Sequence, residues 1–371
     1  YYVKDVPALG YKAFDIETKT NNFVSREHYL ENEYFVIKFD KLGNIISLVD
    51  KKQNKEYVEK GQKFNELVTY EDMPFQYDNW ELTPYHKEKK YSFIDEATFT
   101  PISDGERFGF KIKRPYFNSV VTQRVMLNNY IAKVDFITNI DWKEKRQVLK
   151  VLFPTTLDAK KAYFETQFGY NERASIPQNS YDEAKFESCG QRWVDIFDKQ
   201  SGLGLINNGK YGFSADHNVL SMTLLKSGSF PFDGASDIVP EFTYSLMPHQ
   251  GSIKDSEIIE QAYMLNRPSF VAKISKKQSP LNDEFSLVKY REKGVYIDTV
   301  KRANDSEDII FRLYETYNEK HQLSLEFLLP VKSVSLVNLK EEMISKIDVK
   351  DNKINLTVSP FEIVTLKVQY K

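Results

Sequence analysis

The sequence predicts an all-β protein, a large sandwich followed by a small one. Three observations carry that expectation. Helix signals are scarce, since few stretches hold an apolar i, i+3, i+4, i+7 pattern for three turns. Short runs of alternating apolar and polar residues, bounded by turn residues, recur along the chain. Aromatics make up 14% of the 371 residues, with 23 Tyr and 26 Phe, and such side chains suit pleated, half-buried surfaces. Many short strands with regular turns favour a sandwich over a parallel α/β sheet.

The first clear element is a meander. Tyr34-Phe35-Val36-Ile37-Lys38-Phe39 and Gly43-Asn44-Ile45-Ile46-Ser47-Leu48-Val49 alternate as strands do. Between them Asp40-Lys41-Leu42-Gly43-Asn44 reads as a turn, with Gly43 free to take positive φ, and residues 50–55 close a second turn. Further strands are expected at 108–112, 120–127, 130–140 and 147–153. Asn128-Asn129 reads as a tight hairpin, because Asn tolerates left-handed backbone angles. Strands follow at 161–168, 192–197, 204–207, 218–225 and 241–247. Residues 256–264 are the exception, a short helix with Ile258, Ile259, Ala262 and Tyr263 on one face.

Composition shifts at 272–284, where Lys273, Lys276 and Lys277 precede the polar run Gln278-Ser279-Pro280-Leu281-Asn282-Asp283. Beyond it, strands at 295–301, 309–314, 323–329, 331–338, 353–358 and 362–370 suggest a module of about 90 residues, the size of an immunoglobulin-like sandwich. The expected division is therefore 1–20 as an opening connecting strand, 21–272 as the large sandwich and 273–371 as the small one.

Composition also excludes function classes. Against 51 basic residues stand 53 acidic ones, a net charge of −2. No large single-sign field is available for phosphate backbones or anionic lipid, so neither nucleic acid nor a membrane is expected as a partner. No apolar run approaches the roughly 18–20 residues of a membrane-spanning helix. The single cysteine, Cys189, cannot build an internal disulfide framework or a multi-cysteine metal site. It reads as a small buried hydrophobe, and a reducing cytoplasm is the expected compartment. The opening Tyr1-Tyr2-Val3 is apolar and strand-like, as in a piece excised from a longer polypeptide, or alternatively a processed mature chain.

Five stretches, in order, resemble the C-terminal half of glycoside hydrolase family 38 α-mannosidases, especially the bacterial type. Val6-Pro7-Ala8-Leu9-Gly10-Tyr11-Lys12-Ala13-Phe14 is similar to the segment by which these enzymes leave their helical middle domain. Leu30-Glu31-Asn32-Glu33-Tyr34 with Gly43-Asn44-Ile45 is similar to the opening hairpin of their large sandwich. Arg192-Trp193-Val194-Asp195, Lys210-Tyr211-Gly212-Phe213 and Asn218-Val219-Leu220 follow their most recognisable block. Glu241-Phe242-Thr243-Tyr244-Ser245-Leu246-Met247-Pro248-His249 continues it, and Pro360-Phe361-Glu362-Ile363-Val364-Thr365-Leu366 resembles their closing strand. The resemblance implies a galactose-mutarotase-like supersandwich and then an immunoglobulin-like sandwich, downstream of an absent catalytic barrel. Residues 1–20 would connect to that part. Two departures stand out. Ile238-Val239-Pro240-Glu241 occupies the place of a common Gly-x-His element, and Lys226-Ser227-Gly228 that of a common Arg-containing segment.

The implied chemistry is retaining hydrolysis of α-mannosides, with a carboxylate nucleophile and a zinc ion holding sugar hydroxyls. It needs two carboxyls about 5–5.5 Å apart and converging His or carboxylate ligands. The five histidines (His28, His86, His217, His249 and His321) form none of the usual zinc spacings. No catalytic residue and no metal site is therefore expected in this chain. Zinc is expected in the upstream catalytic domain, which with a mannose-containing carbohydrate is the expected partner.

One loop does invite a binding role. Phe75-Gln76-Tyr77-Asp78-Asn79-Trp80-Glu81-Leu82-Thr83-Pro84-Tyr85 is too irregular for a strand, and loops on a rigid sandwich are where binding residues usually sit. Trp80 could stack on a sugar while Asp78 and Glu81 accept bonds from its hydroxyls, and the resemblance implies a segment that helps line the pocket. Substrate-lining candidates are thus Asp78, Trp80, Glu81, Tyr77 and Tyr85, set against a plain anchoring role for Trp80 and solvated acids. Asp72 and Asp78, or Asp78 and Glu81, do not read as an acid/base pair, because nearby carboxylates are common in an Asp/Glu-rich chain. Asn207-Asn208-Gly209-Lys210-Tyr211-Gly212 lacks a phosphate-loop pattern and reads as a β-turn, with Lys210 and Tyr211 as candidates for the barrel interface. Asn304-Asp305-Ser306 and Asn355-Leu356-Thr357 match the glycosylation triplet, which means little without secretion.

Three functions compete at this level. The first is the accessory β-portion of an α-mannosidase, inactive alone. The second is a stand-alone carbohydrate-binding module using Trp80, Trp142 and Trp193. The third is a mutarotase-like epimerase or lyase, which would need an acid and a base converging on the sugar, and no His–Glu pairing is visible in the sequence.

Overall fold

A computed structural model describes every residue except 1, 2, 4, 16–22, 235–238 and 275–281. The Tyr1-Tyr2 opening, the 20/21 boundary, Ile238 and most of the polar run expected to mark the second boundary lie outside the described residues. The chain divides into two compact units. One comprises Thr20–Thr166 and Asn171–Phe270; the other comprises Tyr1–Lys19, Gln167–Tyr170 and Val271–Lys371.

The larger unit is a supersandwich of antiparallel sheets. A nine-stranded sheet runs in the order Gly169–Ala174, Lys161–Thr166, Trp193–Phe197, Ser201–Asn207, Phe242–Gln250, Val134–Asp141, Ser119–Asn128, Arg107–Tyr116, Thr98–Ser103. A six-stranded sheet runs Ser188–Cys189, Gly212–Asp216, Val219–Lys226, Gln147–Pro154, Glu66–Glu71, Lys90–Ser92. The expected meander forms a five-stranded sheet around Phe35–Phe39 and Ile45–Asp50. Alternation explains its facing: Phe35, Ile37 and Phe39 are buried, whereas Lys38 between them is exposed. Gly43 does take positive φ, at 84°.

Large rings close the space between the two big sheets. Phe153 of the six-stranded sheet lies 6.5 Å from Phe136 and 6.3 Å from Tyr244 of the nine-stranded one. A polar network crosses the same core. Gln123 donates to the Tyr244 hydroxyl (2.6 Å), Asn65 donates to Gln123 (2.9 Å), and Thr69 and Tyr116 share a bond of 2.5 Å. Arg114 is 1% exposed. Its guanidinium donates to the carbonyls of Gly43 and Asn65 and to the Asn44 carboxamide, and burial pulls its pKa down to about 10.

The hairpin expected at Asn128-Asn129 is wider and differently built. The strands end at Asn128 and resume at Val134. Neither Asn has positive φ; instead the Asn128 side chain accepts from the backbone N–H groups of Tyr130 (2.7 Å) and Ile131 (3.0 Å), making an Asx turn. The expected helix is present at Ile258–Asn266, with Ile258, Ile259 and Ala262 buried.

The smaller unit is an immunoglobulin-like sandwich. A three-stranded sheet (Val288–Lys289, His321–Phe327, Lys353–Val358) faces a five-stranded sheet ordered Val295–Arg302, Ile309–Glu315, Ile363–Tyr370, Val331–Val337, Met343–Ile347. Leu323, Leu325 and Phe327 from one sheet and Phe311, Leu313, Val334, Leu366 and Val368 from the other fill its core. In the same unit Gly10–Lys12 pairs with Glu284–Ser286.

Candidate functional site

Glu66–Glu71 and Lys90–Ser92 are hydrogen-bonded neighbours at the edge of the six-stranded sheet. The chain between them, 72–89, leaves the sheet as a long excursion carrying all five substrate-lining candidates. Its course is fixed from underneath. The Asp72 carboxylate is 1% exposed, and its Oδ2 lies 2.8 Å from the Lys226 ammonium. Lys226, the last residue of Val219–Lys226, also donates to the backbone carbonyls of Asp78 and, at 2.6 Å, Glu81. Burial holds the Asp72 carboxyl above its ordinary pKa, and the nearby ammonium offsets this only in part.

Asp78 returns the contact. Its Oδ1 accepts from the N–H of Ser229 (3.0 Å) and of Phe230 (2.6 Å), and its Oδ2 accepts from the Ser229 hydroxyl (2.9 Å). Burial would raise its pKa, but these bonds, helped by Arg146 at 3.8 Å, outweigh burial and hold the pKa below the ordinary carboxylate value. Asn79 completes the zipper, donating from its backbone to Phe230 O (3.0 Å) and from its side chain to Phe232 O (2.7 Å). Gly228 is required for this close approach: a Cβ there would lie 2.7 Å from the Asp78 carbonyl oxygen.

On this base the aromatic residues stand outward. Tyr77 is sandwiched between Trp80, at 5.1 Å and 25°, and Phe230, at 5.6 Å and 24°. Trp80 is 71% exposed and Tyr85 70%, and Phe75, Phe232 and Met73 are exposed beside them. Glu81 is exposed, and it is its carbonyl that Lys226 holds. The far end is pinned by the turn Pro84–Glu88, which buries His86. The His86 ring stands edge-on to Tyr70 at 5.3 Å and its Nδ1 lies 2.6 Å from Thr83 O, while its buried Nε2 has no hydrogen-bond partner among the described residues. Burial lowers the pKa of His86.

The structure thus gathers Tyr77, Trp80 and Tyr85 on one exposed excursion and assigns Asp78 to its base. Trp142 and Trp193 do not join them, being 3% and 0% exposed; an aromatic platform of all three tryptophans does not exist. Lys210 sits half-buried with its ammonium 4.1 Å from the Phe242 ring centre, and burial pulls its pKa down to about 8. The turn around it forms as expected, with Asn207 Oδ1 accepting from Gly209 N (2.9 Å) and Lys210 N (2.7 Å), and Tyr211 is 58% exposed. Cys189, expected to be buried, is exposed.

Three buried charge clusters went unseen in the sequence. Lys150 pairs with Glu187 at 2.6 Å, and Glu187 also accepts from the Thr223 hydroxyl (2.7 Å); a lysine inside the apolar run Val148-Leu149-Lys150-Val151-Leu152 was the available signal. His249 Nε2 lies 3.0 Å from Asp195 Oδ1. His321 contacts Glu292 (2.8 Å) and Glu315 (3.2 Å), so a His–Glu pairing exists after all. It is a structural one, because the fully buried Glu315 also accepts from the backbone N–H groups of Tyr317, Asn318 and Phe361. Among the described residues no three His, Cys, Asp or Glu side chains converge to hold a metal ion, and no helix is long and apolar enough to cross a membrane.

The class of the chain is that of an all-β protein, a large supersandwich of antiparallel sheets and a small immunoglobulin-like sandwich. The family model for the glycosyl hydrolases family 38 C-terminal domain matches residues 30–233, and that for the glycosyl hydrolases family 38 C-terminal beta sandwich domain matches 294–366. The chain belongs to glycosyl hydrolase family 38. It is similar to alpha-mannosidase 2C1 of Homo sapiens, 32% identical over 347 residues that cover 91% of this chain and 33% of that protein. It is similar also to alpha-mannosidase G of Dictyostelium discoideum, 30% identical with 96% and 34% covered. Among solved structures, an alpha-mannosidase from Enterococcus faecalis V583 superposes with a TM-score of 0.79 at 17% identity, covering 94% of this chain and 43% of that one. The chain spans about a third of the length of the relatives it matches.

Proposed function

We propose that this chain is the C-terminal accessory β-portion of a zinc-dependent retaining α-mannosidase that hydrolyses terminal α-mannosides. It packs on an upstream catalytic barrel, to which residues 1–20 connect, and the 72–89 excursion lines part of the sugar pocket. The observation that carries this reading is the match to two family 38 C-terminal domain models, together with the similarity to α-mannosidases over about a third of their length. The chemistry of the loop agrees with it. Asp72 is taken by Lys226 and Asp78 by the backbone of Ser229 and Phe230, so neither is free to act as nucleophile or proton donor. What remains exposed is a set of flat rings, which suits the apolar C–H faces of a pyranose, with the Glu81 carboxylate beside them. The described side chains do not fit a zinc ion, so we assign the ion to the upstream part and derive no step through it. The balanced charge of −2 and the single cysteine agree with a cytoplasmic enzyme that meets neither nucleic acid nor lipid.

An assay with an aryl α-mannoside tests the division of labour. The full-length polypeptide is expected to turn it over, and this chain alone is not; metal-dependent turnover by the chain alone would refute the proposal. A second reading, a stand-alone carbohydrate-binding module, is favoured by the Phe230–Tyr77–Trp80 stack with its outer ring 71% exposed. Titrating the chain with mannose oligosaccharides while following Trp fluorescence separates the two, because an accessory wall alone binds no sugar at millimolar concentration.

A further inference from the structure

We propose that Lys226 is a positioning residue for sugar binding: it holds the 72–89 excursion in the pose that presents Trp80 and Tyr85. This rests on the reading of that excursion as part of the sugar pocket. Lys226 touches no sugar in this proposal and acts through the loop alone.

The geometry behind it is a single ammonium with three partners, all on the excursion. They are the Asp72 carboxylate at its root and the carbonyls of Asp78, inside the Tyr77–Glu81 turn, and of Glu81, at its end. Within that turn Trp80 N and Glu81 N both donate to Tyr77 O, at 3.0 and 2.8 Å. The turn that carries Trp80 is therefore closed inside by Tyr77 O and gripped outside by Lys226. The two carbonyls accept hydrogen bonds from the ammonium, and the Asp72 carboxylate pairs with its charge. Its side chain is 20% exposed, so water cannot readily replace the contacts it makes. The strand to which Lys226 belongs is rigid: Val219–Lys226 pairs with both Gln147–Pro154 and Gly212–Asp216. The loop thus takes its position from the sheet through Lys226, as a binding site built on a rigid element requires. The segment just after Lys226 reinforces the grip, since Ser229 and Phe230 bind the Asp78 carboxylate.

A residue that only stabilised the fold would, when replaced, lower the melting temperature and leave substrate affinity in the surviving folded enzyme unchanged. A positioning residue, when replaced, weakens substrate affinity in the folded enzyme, whatever its loss also does to the melting temperature. The test uses the full-length polypeptide with an aryl α-mannoside and compares Lys226→Met, Lys226→Arg, Ser229→Ala and Trp80→Ala. The expected result for Lys226→Met is a KM raised about tenfold with kcat within twofold. Lys226→Arg, which keeps the charge and the donors, recovers at least half of that loss on a logarithmic scale. Ser229→Ala removes one strut and leaves Lys226 in place; its KM is expected to rise about twofold, and it supplies the readout should Lys226→Met fail to fold. If Trp80→Ala raises KM but Lys226→Met and Ser229→Ala leave it unchanged, the positioning role is overturned while the pocket reading stands. If Trp80→Ala also leaves KM unchanged, the pocket reading itself falls. A fall in kcat with a lowered melting temperature, unrescued by arginine, reduces Lys226 to a structural residue and overturns the proposal.

Discussion

His249 Nε2 sits 3.0 Å from Asp195 Oδ1, with the His249 side chain 6% exposed and that of Asp195 fully buried, and the two meet across an intervening strand. Asp195 lies in Trp193–Phe197 and His249 in Phe242–Gln250, and Ser201–Asn207 pairs with both. The bridge is possible because the intervening strand contributes Gly202, where a Cβ would run into the imidazole ring. Burial works against the charged ring, but Asp195 and the Gln250 carbonyl outweigh it, so the His249 pKa lies above its ordinary value.

A raised folded-state pKa means that the folded protein binds the proton more tightly. The resulting stability is fully present below the unfolded value of about 6.5 and is lost as pH rises through the folded value. His249→Gln is therefore expected to cost about 1–3 kcal/mol at pH 6, and less at pH 9. Urea denaturation of the chain at both pH values checks it. Gly202→Ala should erase the same pH dependence by displacing the ring. A His249→Gln penalty that is equal at the two pH values would contradict the charged pair.

His86 is expected to behave with the opposite sign. Burial lowers its folded pKa and its Nε2 has no hydrogen-bond partner among the described residues, so the folded protein resists protonation. Stability from this site is present above about 6.5 and is lost as pH falls through the lower folded value. His86→Phe keeps a ring against Tyr70 and removes the titration. Its melting temperature should match the parent's within a few degrees at pH 7.5 and exceed it at pH 5, as differential scanning fluorimetry would show.

The contrast between these two histidines also shows what the sequence could reveal. Strands such as Phe35–Phe39 and His321–Phe327 were legible because burial alternates residue by residue within them. Glu66–Glu71 was not, because four consecutive residues are buried and no period of two survives. Thr98–Ser103 was hidden by Pro101, which a strand tolerates at a sheet edge, and this strand is the last of the nine. The aromatic loop was legible from composition, but its base was not. Lys226, Ser229 and Phe230 reach Asp78 from about 150 positions away, and nothing local marks such a contact. Likewise Asp195 and His249 lie 54 positions apart, and only strand order brings them together.

Arg114 supplies a stability prediction for the core. Its guanidinium binds two backbone carbonyls and the Asn44 side chain, all deep between the sheets. Arg114→Met fits the space but leaves the carbonyls of Gly43 and Asn65 without donors. Each buried unsatisfied acceptor costs about 1–3 kcal/mol, so a loss of about 3 kcal/mol is expected by urea denaturation. A neutral outcome would mean that the desolvation of the buried cation cancels its bonds.

Trp80 separates fold from function most cleanly. Its indole is 71% exposed and, among the described residues, its one ring contact is Tyr77, itself close to Phe230. Little area leaves water when Trp80 folds into place, so Trp80→Ala should change the unfolding free energy of the chain by less than about 0.5 kcal/mol, as surface substitutions usually do. A pyranose face laid on the indole would be a contact of the strength of an aromatic pair, about 0.5–1.5 kcal/mol. At about 1.4 kcal/mol per factor of ten, KM for an aryl α-mannoside in the full-length polypeptide should rise roughly two- to tenfold. Trp80→Phe keeps a flat ring and should recover part of it. The sign of the stability change is itself informative: an unchanged melting temperature with a raised KM puts the indole against sugar, whereas a large drop in melting temperature would mean that the ring mainly holds the loop together.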